Sequence, residues 1–334
     1  MRIQPFLRWF PILLVAALLA AGCSAPAVPA PAPTQPAAPA TTVPATAASD
    51  LFTDLDAFKT ALLQALMDHD TLQLQGWMTS PFLTGGWRAD ASDSAPEDAL
   101  RVLYRDDLGA ENRLAWVPDA DLKALMGGVD PLSFPRSEAG VIQAALVSGW
   151  GKDGRDEAIL FLARQPDDQL KWQGWMKING GFSGARLGGI QLYTNAAHGF
   201  QIYLPKWAEV VENGADNVMV LAPGQGHPGE GRAAAMIEVQ PANGRSVEQV
   251  IEQAKADAGP GFDIPPGTAL GLDRAMAIVL SGLPGQDVNR QLFVVYRDAL
   301  IHITFVPDTA KVGKPYLEME DLYAMITNTF HFTD

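Results

Sequence analysis

The chain has 334 residues, 38 acidic against 24 basic, and a formal net charge of −14 at pH 7. Setting aside Arg2 and Arg8 at the N-terminus leaves 22 basic against 38 acidic residues, or −16, divided as −8 on each side of Gly189. A negative field spread this evenly repels phosphate backbones and offers anionic lipid no basic patch, so nucleic acid is excluded as a partner and electrostatic docking on a membrane is disfavoured.

The N-terminus carries an address. Arg2 and Arg8 form a short positive region, Trp9 to Ala20 is uncharged and mostly apolar, and Leu19-Ala20-Ala21-Gly22-Cys23 places small residues before a cysteine. That order is the grammar of a secretory signal. A membrane span needs about 20 apolar residues, whereas Trp9 to Gly22 supplies 14, interrupted by Pro11. With a cysteine at the cleavage point, the segment resembles a lipobox, although Ala20 stands where a large aliphatic residue is usual. The resemblance implies a signal peptide over residues 1–22 and lipid on Cys23, hence an extracytoplasmic lipoprotein anchored in a membrane. Cys23 is the single cysteine, so no disulfide is expected.

Residues 23–49 read as the lipidated cysteine and a stalk. Ser24 to Ser49 holds seven prolines in 26 uncharged residues. This composition cannot bury a core and favours extended polyproline II, reaching at most roughly 80 Å. The 285 residues that follow suit about two domains. The glycine cluster Gly180-Gly181, Gly184 and Gly188-Gly189 marks the expected boundary, giving domains at 50–186 and 190–334.

In the first domain, Phe52, Leu55, Phe58, Leu62 and Leu66 recur at helical steps, and a shorter helix runs through Leu72, Leu74 and Trp77. Pro96 opens another with acids in its first turn. Val141 to Trp150, Glu157 to Arg164 and Gln169 to Ile178 read as strands joined by Gly151–Gly154 and Pro166–Asp168 turns. Helices followed by a meander indicate α+β. The order resembles the ketosteroid-isomerase-like (nuclear-transport-factor-like) cone, and Phe82–Trp87 with Val147–Gly151 resembles N-terminal domains of bacterial lipoproteins.

The second domain is also α+β. Tyr193 and Gly199 to Trp207 form an opening strand region, and Val218–Ala222 and Ala233–Val239 are strands. Ser246-Val247-Glu248-Gln249 is a capping box that starts a helix to about Ala258. Strands Ala275–Ser281, Arg290–Tyr296 and Leu300–Val306 precede a closing helix. The opening strand with Pro205 and Trp207, and the final Tyr323, Ile326 and Phe330, resemble the PsbP-like fold. That resemblance implies a fold and a module that docks an envelope or membrane protein, not an activity.

Chemistry is sparse. No two of His69, His198, His227, His302 and His331 share a metal-ligand spacing, so no metal and no cofactor are expected. Asp68-His69-Asp70 suits a helix end and the cap of the next helix better than an acid/base site. Ser148 and Ser281 complete no nucleophile elbow, and the glycine-rich run Pro223 to Gly231 lies between strands rather than at a helix N-terminus. Tyr104, Asp106 and Asp107 could serve isomerase chemistry only if they faced one pocket. On strict alternation Trp175 shares a face with Lys171, Gln173 and Lys177, which marks it as a candidate interaction surface. The expected function is non-catalytic binding by a membrane-anchored lipoprotein. The alternative is a small-ligand carrier or isomerase-type enzyme using the cone pocket.

Overall fold

The computed structural model describes residues 52–135, 140–222, 234–284, 289–306 and 317–333. Cys23, the stalk and the 223–231 loop lie outside them. The fold is α+β, and residues 48–334 form one compact unit.

Helix α1 (Leu55–Met67) begins at Asp54, whose carboxylate accepts from the Ala57 amide at 2.7 Å. The cap satisfies an amide that the first turn leaves without a partner. The apolar stripe does what its spacing requires: Phe58, Leu62 and Leu66 are fully buried. Helices α2 (Thr71–Trp77) and α3 (Pro96–Val102) complete the cover, and a π-helical turn over Leu103–Asp107 ends it.

These helices lie on a six-stranded sheet of β1 (Met78–Gly86), β2 (Ser92–Ser94), β3 (Ala115–Trp116), β4 (Val141–Trp150), β5 (Asp156–Arg164) and β6 (Leu170–Ile178), in the order β2-β1-β6-β5-β4-β3. All pairs are antiparallel except β1 with β6. Strand β5 is buried on both faces because one face meets α1–α3 and the other meets a second core. That second core takes Leu122 and Leu125 from α4 (Leu122–Leu125) and Phe182, with Ile190 and Tyr203 packed against it. The glycine-rich break is therefore packed rather than loose. Buried Glu157 accepts from the amides of Phe182 and Ser183 at 2.9 and 3.0 Å and from the Ser183 hydroxyl.

Beyond the break, β7 (Ile190–Asn195), β8 (Phe200–Pro205) and β16 (His331–Phe332) make a small antiparallel sheet. A seven-stranded antiparallel sheet runs β12-β13-β14-β15-β11-β10-β9, from β9 (Glu209–Glu212), β10 (Asn217–Leu221), β11 (Ala234–Pro241), β12 (Thr268–Leu272), β13 (Ala275–Ser281), β14 (Arg290–Tyr296) and β15 (Ala299–Val306). One face buries Val220, Ile237, Ile303 and Phe305 against β8 and α6 (Leu317–Thr329). Part of the other face carries α5 (Val247–Ala258), whose Val250 and Ile251 meet Leu280 and Phe293. The capping box is formed in both directions, between Ser246 and Gln249.

Candidate functional site

Trp175 is not on the surface. It is 1% exposed, stacked on Trp172 with centroids 5.6 Å apart and tilted against Phe82 and Trp150 in the core beneath α1–α3. The cause is a β-bulge. Leu162 pairs with Trp172 and the preceding Phe161 pairs with Gly174, so Gln173 is an extra residue on β6. One inserted residue reverses the alternation downstream and brings Trp172 and Trp175 onto the same face. Gly174 then permits the close approach of β1, since a Cβ there would sit 2.4 Å from the Leu83 carbonyl oxygen.

The other candidates have local roles. The Asp68 amide closes α1 by donating to the Gln64 carbonyl, His69 adopts φ 57° and stacks on Tyr104 at 4.2 Å, and Asp70 caps α2 by accepting from the Gln73 amide. Tyr104 donates to the Leu66 carbonyl, and burial, helped by the Asp70 charge, pushes its phenol pKa up. Asp106 pairs with Arg105 at the exposed end of the π-helical turn, while Asp107 pairs with Lys177 at 3.1 Å. None of these groups lines either of the two recesses described below.

Convergent polar groups occur where the two sequence halves meet, around α6. Its C-terminal carbonyls are capped from the β1 end: the Trp87 indole donates to Asn328 at 2.9 Å, and the Arg88 guanidinium donates to Thr327 at 2.6 Å and to Phe330 at 2.7 Å. A cation suits this end because unpaired carbonyls give it negative character. Burial pulls the Arg88 pKa down to about 10, with Asp273 offsetting part of the cost, so the group remains charged at neutral pH.

Near its N-terminal end, α6 presents acids to the first half. Asp321 is 6% exposed and accepts from Arg155 at 2.9 Å and Arg186 at 2.6 Å, and Glu320 accepts from Arg155 at 3.1 Å. Burial lowers the Arg155 pKa, but the carboxylates of Asp321, Glu320 and Asp153 together outweigh it and hold the net value above the ordinary range. Asn328 donates to the Asn179 and Gly181 carbonyls, and Asp156 accepts from the Gly180 amide and pairs with Lys177.

These groups rim a cleft of about 530 Å³. Leu270, Val279, Leu292 and Phe305 contribute apolar wall, while Asp153, Arg155, Glu320 and Asp321 stand among the charged lining. A smaller recess of about 380 Å³ lies beyond Trp87, against Arg88, Met126 and the Gly271–Ala275 turn. Arg155, Asp156, Glu320 and Asp321 are each committed to a partner, which suits a surface that holds and orients better than one that exchanges protons. Sequence reasoning missed this site because Trp87 and Asn328 are 241 positions apart.

No protein-family model matches the chain, and the search of curated proteins found no match. Among solved structures, the chain is similar to cyanobacterial PsbP (CyanoP) from Synechocystis sp. PCC 6803, known from a solution structure. The identity is 16% and the TM-score 0.31, over 43% of this chain and 92% of that chain.

Proposed function

We propose that this protein is an extracytoplasmic lipoprotein, held to a membrane by lipid on Cys23, that acts as a non-catalytic binding module. Residues 50–186 and 190–334 are its two domains, and the cleft at their junction receives an envelope or membrane protein. The observation that carries the reading is the cleft's make-up, with a rim of charges already committed to partners around an apolar wall. Interfaces of this kind combine a polar rim with an apolar centre. The side-chain-filled first core supports binding at the cleft over a carrier: Phe58, Leu62, Leu66, Phe82, Trp150 and Trp172 are all fully buried.

One observation favours the alternative, a small-ligand carrier or isomerase-type enzyme using the interior of the first domain. Trp77, Trp150 and Gln173 bury polar side-chain atoms there without a hydrogen-bond partner. Native interiors rarely tolerate such atoms, and bound water or a ligand is the usual remedy.

The discriminating experiment places a photo-crosslinking residue at exposed Asp153 on the cleft rim, and in a second protein at exposed Gln253 on α5. Both are expressed as the full lipoprotein in its own membrane. A protein adduct formed from Asp153 and not from Gln253 is expected. Identical adducts from both positions, or none from Asp153, would remove the cleft as the contact site.

A further inference from the structure

The two edges of the seven-stranded sheet are built differently. Strand β9, at one edge, begins and ends in glutamate, Glu209 and Glu212. Charge on an edge strand is a common guard against pairing with another chain. Strand β12, at the other edge, is Thr268-Ala269-Leu270-Gly271-Leu272, with no charge and no proline, and Thr268, Ala269 and Gly271 are exposed. Among the described residues it pairs with β13 alone. In an antiparallel pair alternate residues turn their N–H and C=O away from the neighbour, so β12 presents backbone donors and acceptors along its outer side.

That edge runs along both recesses. Leu270 lines the cleft, Leu272 lines the smaller recess two residues on, and Trp87 stands in the walls of both. Leu270 and Leu272 share the face turned to the core beneath α6. A strand laid against β12 has its own alternate side chains on that face at the same two-residue spacing, about 6.6–6.8 Å, one for each recess. Across the smaller recess stand Met126 and Val129, which are apolar. The Arg88 carbonyl oxygen comes within 3.7 Å of the place a Cβ on Gly271 would take, so the groove is narrow there and suits a single strand better than a second folded copy.

Charge gives the groove two unlike ends. Among the described residues, four carboxylates and two guanidiniums line the cleft, whereas the guanidiniums of Arg88 and Arg274 and the single carboxylate of Asp273 line the smaller recess. The exposed members are Asp153 at the cleft and Arg274 at the recess. A segment lying along β12 therefore meets negative charge beyond Leu270 and positive charge beyond Leu272. Complementary charge of this kind selects a partner and fixes its register.

Resting on the cleft as the place where a partner protein docks, we propose that β12 is the edge to which an extended segment of that partner adds as a further strand. The segment carries aliphatic residues at alternate positions, a basic residue at the cleft end and an acidic residue at the recess end. In strand addition the main-chain hydrogen bonds supply affinity, and pockets for alternate side chains supply selectivity. The outward amides and carbonyls of β12 provide the first, and the two recesses provide the second.

The test uses the full mature chain in detergent and an acetylated, amidated peptide of sequence Lys-Thr-Val-Thr-Val-Thr-Glu. Titration should give a dissociation constant of about 0.1 mM, in the weak range that so short a strand allows. Amide hydrogen exchange should slow within residues 268–272 and stay unchanged within 209–212 on the opposite edge. The same peptide N-methylated at its five central residues keeps its side chains but donates no hydrogen bonds from them, and should bind at least tenfold more weakly. Replacing the peptide's Glu with Lys should weaken binding at least twofold, although the chain's net negative charge alone would tighten it. No slowing within 268–272 at about 5 mM peptide, or equal binding by the N-methylated peptide, overturns strand addition. Tighter binding by the Lys-ended peptide overturns the partner chemistry stated for the two ends. The peptide needs no native partner, so its failure leaves the Asp153 crosslinking result standing, and a failed crosslink leaves the peptide result standing.

Discussion

Replacing Trp175 with alanine should destabilise the protein severely, and its magnitude follows from the bulge at Gln173. The indole is 1% exposed and packs against the rings of Phe82, Trp150 and Trp172 at 5.3, 6.3 and 5.6 Å. A buried tryptophan removes about 150–250 Å² from water, which at about 25 cal/mol per Å² is about 4–6 kcal/mol of gross transfer free energy. Alanine retains a small part of this, and partial collapse of the cavity returns some more, so about 3–5 kcal/mol is the expected loss. For a chain of this size that corresponds to a fall in Tm of roughly 10 °C. Thermal unfolding followed by far-UV circular dichroism measures it. Near-UV spectra should also lose the coupling between the stacked Trp172 and Trp175 indoles. Trp175→Phe keeps a ring in the stack and should recover much of the stability. A Trp175→Ala protein that melts within about 2 °C of wild type, as surface substitutions do, would refute both the bulge argument and the core placement.

The junction and the anchor give two more tests. Asp321→Ala leaves Arg155 and Arg186 facing each other without their shared carboxylate; removing one member of a buried pair costs about 3–5 kcal/mol, which the partial exposure of both arginines reduces to about 2–3 kcal/mol. Limited proteolysis within residues 180–189 should accelerate in the same variant, and unchanged melting and cleavage would show that the ion pairs do not hold the two halves together. Cys23→Ser should leave the precursor unprocessed or release the protein from membranes; a variant still processed and membrane-held without acylation would overturn the lipoprotein reading.

Local periodicity carried much of the fold. The stripe Phe58, Leu62 and Leu66 specified α1, Ser246 and Gln249 specified the start of α5, and the apolar runs either side of Gly151–Gly154 specified β4 and β5, because each signal spans a few residues of one element. Strand β1 was illegible, since its parallel partner β6 lies about ninety positions away and its own sequence holds Pro81, Gly85 and Gly86. Trp175 shows where alternation fails: the rule is correct for a regular strand, and one unpaired residue inverts its answer. The cap of α6 by Trp87 and Arg88, the sharing of Asp321 between Arg155 and Arg186, and the run of β12 along both recesses were decided only by tertiary structure. A sequence states which groups have donors, acceptors or charge to satisfy. It does not state which distant element satisfies them, because that depends on strand register and on how the two halves pack.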